Sequence, residues 1–486
     1  MHNLNFAYSF NVKKTTFFVF FLLLLLQSCS NKETIKYDIV ISNINIIDLE
    51  DGSISKKTVC ISGGKIVDLK VTDSLNDYIS EKHMDGLGKF LLPGFWDNHI
   101  HLRGGDSLIE ENKNLLPLFI ANGITTVRDA GGDLTSEILR WRKEIKNNTI
   151  IGPTIYTSGP KLDGDQATWA GSLVVASQED VTKALDSLEK IPSDFVKIYD
   201  SRISRENYLE VLKQAKERGL ISSGHMPFTV ELNEAVTSGI GAVEHLYYIL
   251  KGCSSKEKEI TQAIINKELS FWDSMDQLTT TYHDSTAQKT FQLLNNHNTY
   301  VVPTLHIGNV LSYLDEVDHT NDPYLDIIGK GIVKTYNGRI KRAISASPEA
   351  RKSRKALNSF FKKLTKSLNN ANVKLLAGSD SGAYNSYTYP GISLHKELEA
   401  MVAAGLDPLE ALQTSSYNGS RYLQKDKEVG VIEVNKVADL VILNSNPLQE
   451  IKNTRDIYQV IKGNKIYDPK EIAKQYDCTE CFTILP

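Results

Sequence analysis

Between Phe95 and Ser381 the chain alternates short β-branched runs with helical stretches, and few folds accommodate that rhythm. The runs read FWDNHIHL, TTVRDAG, TIYTSGP, DFVKIYD, LISSGHM, GAVEHL, TYVVPTL and VKLLAGSDS, with helical patterns such as 179–189, 205–218 and 229–238 between them. Eight strand candidates alternating with helices are the signature of an α/β chain wound as a (β/α)8 barrel. An open doubly wound sheet would carry a glycine-rich phosphate turn after its first strand, and this sequence has none there. At 486 residues the chain is long enough for a barrel and a smaller companion.

The flanks follow a different period. YDIVISNINIIDL, TVCISGGKIVDLK and GKFLLPG alternate apolar and polar residues between Asp-Gly and Gly-Gly turns. VGVIEVNKVADLVILNSNPL and DIYQVIKGNKIYD do the same near the other end, with Gly463-Asn464 placed for a hairpin. The expectation is a TIM barrel over 91–425 and a small β-sandwich of antiparallel strands assembled from 36–90 and 426–470, with a tail over 471–486. One connection is out of proportion. The insertion over 305–373 ends in a helix whose Leu357, Phe361, Leu364 and Leu368 share a face. After a barrel strand such an insertion lies over the mouth as a lid or substrate wall, the plainer alternative being a packing or solubilising insert.

Composition narrows the partners. Lys and Arg number 55 against 59 Asp and Glu, without long blocks of one sign, which excludes an electrostatic nucleic-acid binder and leaves small molecules. The start carries Lys13 and Lys14 before an apolar run, Phe17 to Leu26, about half of the ~20 residues that span a bilayer. This reads as an export signal. Leu26-Gln27-Ser28-Cys29 resembles the lipobox of bacterial lipoproteins, which implies a signal peptide over 1–28 and a lipid anchor at Cys29 in the cell envelope, periplasmic or outer membrane. Cys60, Cys253, Cys478 and Cys481 are too few for a disulfide framework in a chain this large, although CTEC has the spacing for a short bridge.

The chemistry is read from the strand ends, where barrel enzymes place it. In FLLPGFWDNHIHL, His99 and His101 alternate on an extended segment, so both imidazoles face one point. Lys197 lies in DFVKIYD, His225 ends LISSGHM, His245 ends GAVEHL, and Asp380 lies in AGSDS. Neutral imidazoles and a carboxylate suit a divalent ion such as Zn2+. A lysine ammonium would repel it, so Lys197 fits as a neutral amine, outside the coordination shell, or as a carbamate bridging two ions. Two ions about 3.5–4 Å apart hold one hydroxide and polarise a carbonyl, and Asp380 is placed to move the proton. Each residue alone would more often be a packed or solvated side chain; it is the set that argues for a metal site.

These residues carry a resemblance to the amidohydrolase superfamily, on the branch of imidazolonepropionase-like proteins and metal-dependent Xaa-Pro dipeptidases. It extends through LLPGFWDNHIHL, GITTVRDAGG, DFVKIYD, SGHMPF, GAVEHL, AGSDSG, SLHKELEAMVAAGLDPLEALQTSSYNG and GVIEVNKVADLVILNSNPL, departing at Asn435-Lys436 where Gly-Lys is usual. The resemblance implies a distorted barrel, His99 and His101 on one ion, His225 and His245 on a second, a carboxylated Lys197 between them, and Asp380 as ligand and proton shuttle. It implies hydrolysis of an amide C–N bond by a metal-bound hydroxide, with Xaa-Pro dipeptides as the favoured substrates. The rivals are a mononuclear cyclic-amide hydrolase and a peptide-binding lipoprotein without activity. Deaminases of this superfamily typically place Glu three residues after the fifth-strand histidine; here that residue is Phe228, which cannot carry a proton. Secondary candidates are Tyr199 and His306 as substrate contacts and Arg128 as a carboxylate clamp, unless Arg128 pairs with Asp129 or Asp133. His395 reads as packing or loop support, and a homo-oligomer is compatible with the sequence.

Overall fold

The structure, a computed structural model, describes residues 1–3, 35–71 and 78–476. The predicted lipobox and the Cys478/Cys481 pair lie outside the described residues. Among the described residues no helix is long and apolar enough to cross a membrane.

The middle of the chain is α/β with parallel sheets. Phe95–His101 pairs in parallel with Ile124–Asp129, which pairs with Thr154–Thr157. A second sheet runs from Ser172–Val174 through Lys161–Asp163, Val196–Ile198, Ser222–Gly224 and Ala242–Glu244 to Tyr300–Val302. Ser172–Val174 and Lys161–Asp163 have no counterpart among the eight expected runs. The last expected run is mostly irregular. It contributes a parallel bridge from Leu375 to Val301 and the short strand Ser381–Gly382, paired with Ile100 and His101. Backbone hydrogen bonds continue between the sheets, from Asp194 N to Thr157 O at 2.8 Å, Leu376 N to Val301 O at 2.9 Å and Asn98 N to Ala377 O at 2.9 Å.

The strands are buried on both sides, as parallel strands covered by helices must be. Helices start where local chemistry allows. Ser177 Oγ accepts from Asp180 N ahead of Gln178–Lys190, and Ser204 Oγ accepts from Asn207 N ahead of Arg205–Glu217. In Pro348–Asn370, Leu357, Phe361, Leu364 and Leu368 are buried, the face read from their spacing.

Strands from both ends of the chain form one hydrogen-bonded sheet with its own core of Ile39, Ile41, Val59, Ile61, Leu440 and Ile442. The expectation of purely antiparallel strands needs correction. Ile35–Ile47 pairs in parallel with Tyr78–Asp85 and Phe90–Pro93, because the segments between them return the chain to its starting edge. Gly463-Asn464 does turn a hairpin, joining Ile457–Lys462 to Lys465–Tyr467. Phe90–Pro93 pairs antiparallel with Asp439–Leu443, and Gly94 N donates to Asp439 O at 2.8 Å just before the strand that carries His99.

Candidate active site

Three side chains converge where Phe95–His101 meets the last strand. His99 Nε2 lies 3.2 Å from His101 Nε2, and Asp380 Oδ1 lies 3.4 Å from the first and 2.9 Å from the second. The backbone sets this convergence. Asp380 N donates to His99 O at 2.7 Å, and Asp380 takes φ 55°, a left-handed conformation uncommon outside glycine. His245 at φ 70° and Thr304 at φ 50° follow the neighbouring strand ends, so unusual backbone gathers around one pocket. A side chain at Gly378 would come within 2.6 Å of the His99 Cβ.

His245 and His225 extend the cluster. The four rings run in a chain, His101 to His99 at 5.0 Å between centroids, His99 to His245 at 5.4 Å and His245 to His225 at 4.9 Å. His225 and His245 do not join the tight group of ligand atoms made by His99, His101 and Asp380. Each is oriented through Nδ1, His225 by Asp200 Oδ1 at 2.9 Å and His245 by Thr304 Oγ1 at 2.8 Å, which leaves both Nε2 atoms for the pocket. Tyr248 Oη donates to the other Asp200 oxygen at 2.8 Å.

Lys197 is fully buried, and its Nζ lies against Glu244 Oε2 in a direction that completes no hydrogen bond. Glu244, absent from the sequence-derived set, also reaches His99 Nδ1 at 3.4 Å and accepts from Arg128 and from the Ser223 hydroxyl. Its position beside His245 in GAVEHL was the only available signal.

Burial keeps the imidazoles neutral. It pushes His99 down to about 4 and lowers His101, His225 and His245, so their lone pairs are free to bind a cation. Burial, reinforced by the Arg128 charge, holds Lys197 well below the usual lysine range. Burial opposes ionisation of Asp380, but His99 and His101 outweigh it and hold the carboxyl well below its ordinary value.

Do these residues fit a metal? Ligands roughly 2.0–2.2 Å from an ion, at angles of roughly 90° to 109°, sit about 2.8–3.6 Å apart, and the three separations above fall inside that range. Beside them Lys197 Nζ and His99 Nδ1 both face Glu244 Oε2, and none of the three atoms completes a hydrogen bond. The donor set fits a divalent ion, and the burial that lowers the Lys197 pKa favours the amine form that carbamate formation needs.

Two secondary candidates need correction. Arg128 is no clamp in the cavity and pairs with neither Asp129 nor Asp133. It is buried behind the site, donating to Asn98 O, Ser223 Oγ and Glu244 Oε1. Alternation along the strand explains this, because Asp129 turns the other way, to Leu102 N and Thr157 Oγ1. His306 is half-buried outside the cavity lining, its pKa pushed down to about 4 by desolvation; its segment contributes Thr304, Ile307 and Gly308 to the lining instead. Tyr199 does line the cavity, 4.2 Å from the His225 ring, and burial keeps its phenol protonated to about 12. His395 bonds Thr454 Oγ1 and Asn122 O, away from the cavity. Arg128→Met removes one of the two cations against the buried Glu244 carboxylate and leaves Asn98 O without its guanidinium donor, and is expected to cost about 1–3 kcal/mol of stability, measured by denaturant unfolding.

The cavity above the cluster has a volume of about 500 Å3. Its floor includes His225, His245 and Asp380, its sides carry Tyr247, Phe271 and Phe361, and Trp272 stands 62% exposed at the rim. The insertion supplies Arg339, Arg342 and Arg354.

Fold and site together define an α/β enzyme with a buried imidazole and carboxylate centre at the ends of parallel strands. Residues 90–467 match the Amidohydrolase family, and the chain belongs to it. Among curated relatives it is 24% identical over 303 residues to an adenine deaminase of Staphylothermus marinus, covering 59% of this chain and 48% of that one, so it spans about half of that relative's length. It is 22% identical over 436 residues to ochratoxinase of Aspergillus niger, covering 78% of this chain and 75% of the relative. Among solved structures, a Xaa-Pro dipeptidase with bound methionine in its active site superposes with a TM-score of 0.65 at 19% identity, covering 88% of this chain and 99% of the other.

Proposed function

We propose that this chain is a metal-dependent hydrolase of an amide bond, with dipeptides of the Xaa-Pro type as the favoured substrates, working in a closed, distorted barrel. The observation that carries the reading is the convergence of His99 Nε2, His101 Nε2 and Asp380 Oδ1 beside the buried Lys197. His99, His101 and Asp380 would hold one divalent ion, His225 and His245 a second, and a carboxylated Lys197 would bridge them. Zn2+ bound there supplies Lewis acidity, lowering the pKa of water and polarising the scissile carbonyl.

The chain's own residues do the rest. The Asp380 carboxylate takes the proton of the attacking water and returns it to the departing nitrogen. Asn385 Nδ2 donates to its Oδ1 at 2.7 Å, and buried Arg103 donates to Asn385 Oδ1 at 3.2 Å, so the carboxylate is held from behind with its other oxygen left for the proton. Asp200 and Thr304 fix the two outer imidazoles. The aromatic walls exclude bulk water. Deamination is disfavoured because Phe228 packs edge-on against Phe271 at 4.5 Å and offers no acid three residues after His225.

Turnover of dipeptides and lactams is expected to vanish on chelation and to return with Zn2+. Unchanged turnover in excess chelator, with metal shown absent, would sink the mechanism. Lipid attachment at Cys29 belongs to the same proposal. Its checks are labelling with a fatty-acid analogue and release to the soluble fraction on Cys29→Ala.

A further inference from the structure

The inserted helices put three arginines on one wall of the cavity. Arg339 and Arg342 lie one turn apart on Lys330–Ile344, and Arg354 lies near the start of Pro348–Asn370. Among the described residues, no hydrogen bond or ion pair engages any of the three guanidinium groups. Other cations on the second helix behave differently, since Arg351 and Lys355 are both paired with Asp315. The acids nearest the wall are already engaged, Asp200 by His225 and Tyr248, and Asp380 by the imidazoles. Arg339 is half-buried, and its charge is felt by Asp380, Tyr199 and Tyr247, so it faces the floor rather than bulk solvent. Tyr247 feels Arg354 as well. A half-buried guanidinium without a counterion is unfavourable until an anion arrives.

We propose that Arg339 and Arg354 hold a free carboxylate on the amine half of the substrate, so that the enzyme selects N-acyl amino acids and dipeptides over neutral amides. The inference rests on the hydrolase reading. It also moves the clamp role from Arg128, on a barrel strand, to the insertion. With the carboxylate at the wall and the scissile carbonyl at the floor, the oxygen of water joins the acyl carbon and the C–N bond breaks. One water proton passes through Asp380 to the leaving nitrogen, and the new acid ionises. Tyr247, Phe271 and Phe361 are placed to receive apolar side chains between the two ends.

The test uses leucyl-proline and N-acetylphenylalanine, each beside its C-terminal amide, on wild type, Arg339→Met, Arg354→Met and Arg339→Lys. Wild type is expected to favour acid over amide in kcat/KM, and each Met variant to lower that ratio roughly 10- to 100-fold, mostly through KM. Lysine restores part of it, as a point charge without the planar fork. Calorimetry of N-acetylphenylalanine and its amide reads the same preference without turnover. Selective binding of the acid with no hydrolysis of any probe removes the hydrolase reading and leaves the clamp standing. Hydrolysis that treats acid and amide alike in wild type, or a ratio unchanged in the variants, overturns the clamp. If neither Met variant folds, the wild-type acid-to-amide ratio still decides. No binding and no turnover overturns both.

Discussion

Asp380→Asn is expected to lower kcat by about 10²–10⁴-fold, the range lost when a positioned proton carrier is removed. The substitution keeps the shape of the side chain but removes its charge and basicity. Oδ1 is the atom on which His99, His101 and Asn385 all converge, so the replaced group stands at the centre of the cluster. Since Asp380 is also a proposed ligand, bound metal is to be measured beside kcat on the best substrate of the panel. A folded variant that keeps its metal and loses turnover assigns the proton role, and a kcat within a few-fold of wild type removes Asp380 from the chemistry.

Lys197→Met is expected to lower activity roughly 100-fold or more and to reduce the metal bound at saturation, because a bridging group is lost. Methionine approximates the stem without the amine, and although Glu244 Oε2 loses its lysine, Oε1 keeps its bonds from Arg128 and Ser223, so the carboxylate retains a cation. The fold should therefore survive, as near-ultraviolet circular dichroism would report. Metal-depleted wild type, reloaded in carbon-dioxide-free buffer, should recover activity faster when bicarbonate is added, and Lys197→Met should be indifferent to it. Equal recovery with and without bicarbonate would mean that the amine binds or stands by without modification.

Much of this architecture was legible because parallel strands carry their signal locally. FWDNHIHL is short, apolar and β-rich, and the one-residue spacing of its histidines states which face they share. What was illegible depends on segments that meet only after folding. Glu244 reaches Lys197, Arg128 and His99 from three other strands, and no spacing in GAVEHL announces that. Asp200 and Asn385 are ordinary loop residues until His225 and Asp380 arrive beside them. Arg128 was open to misreading because its neighbours in sequence, Asp129 and Asp133, looked like partners while strand alternation sent it inward to Glu244. The insertion announced its apolar face through helical periodicity, but its arginines gave no sign of lacking counterions, since pairing is decided by what lies opposite.

The antiparallel pairing of Phe90–Pro93 with Asp439–Leu443 has a bearing on how the molecule is made. During synthesis the segment leading into the histidine-bearing strand emerges well before its partner, with all the parallel strands of the middle sheets between them, and such distant closures form late. Until then the strand that carries His99 and His101 has no partner on its lead-in from the small sheet's far segment. Cleavage ahead of Asp439 is therefore expected to loosen the lead-in to the histidines without removing a residue that lines the pocket.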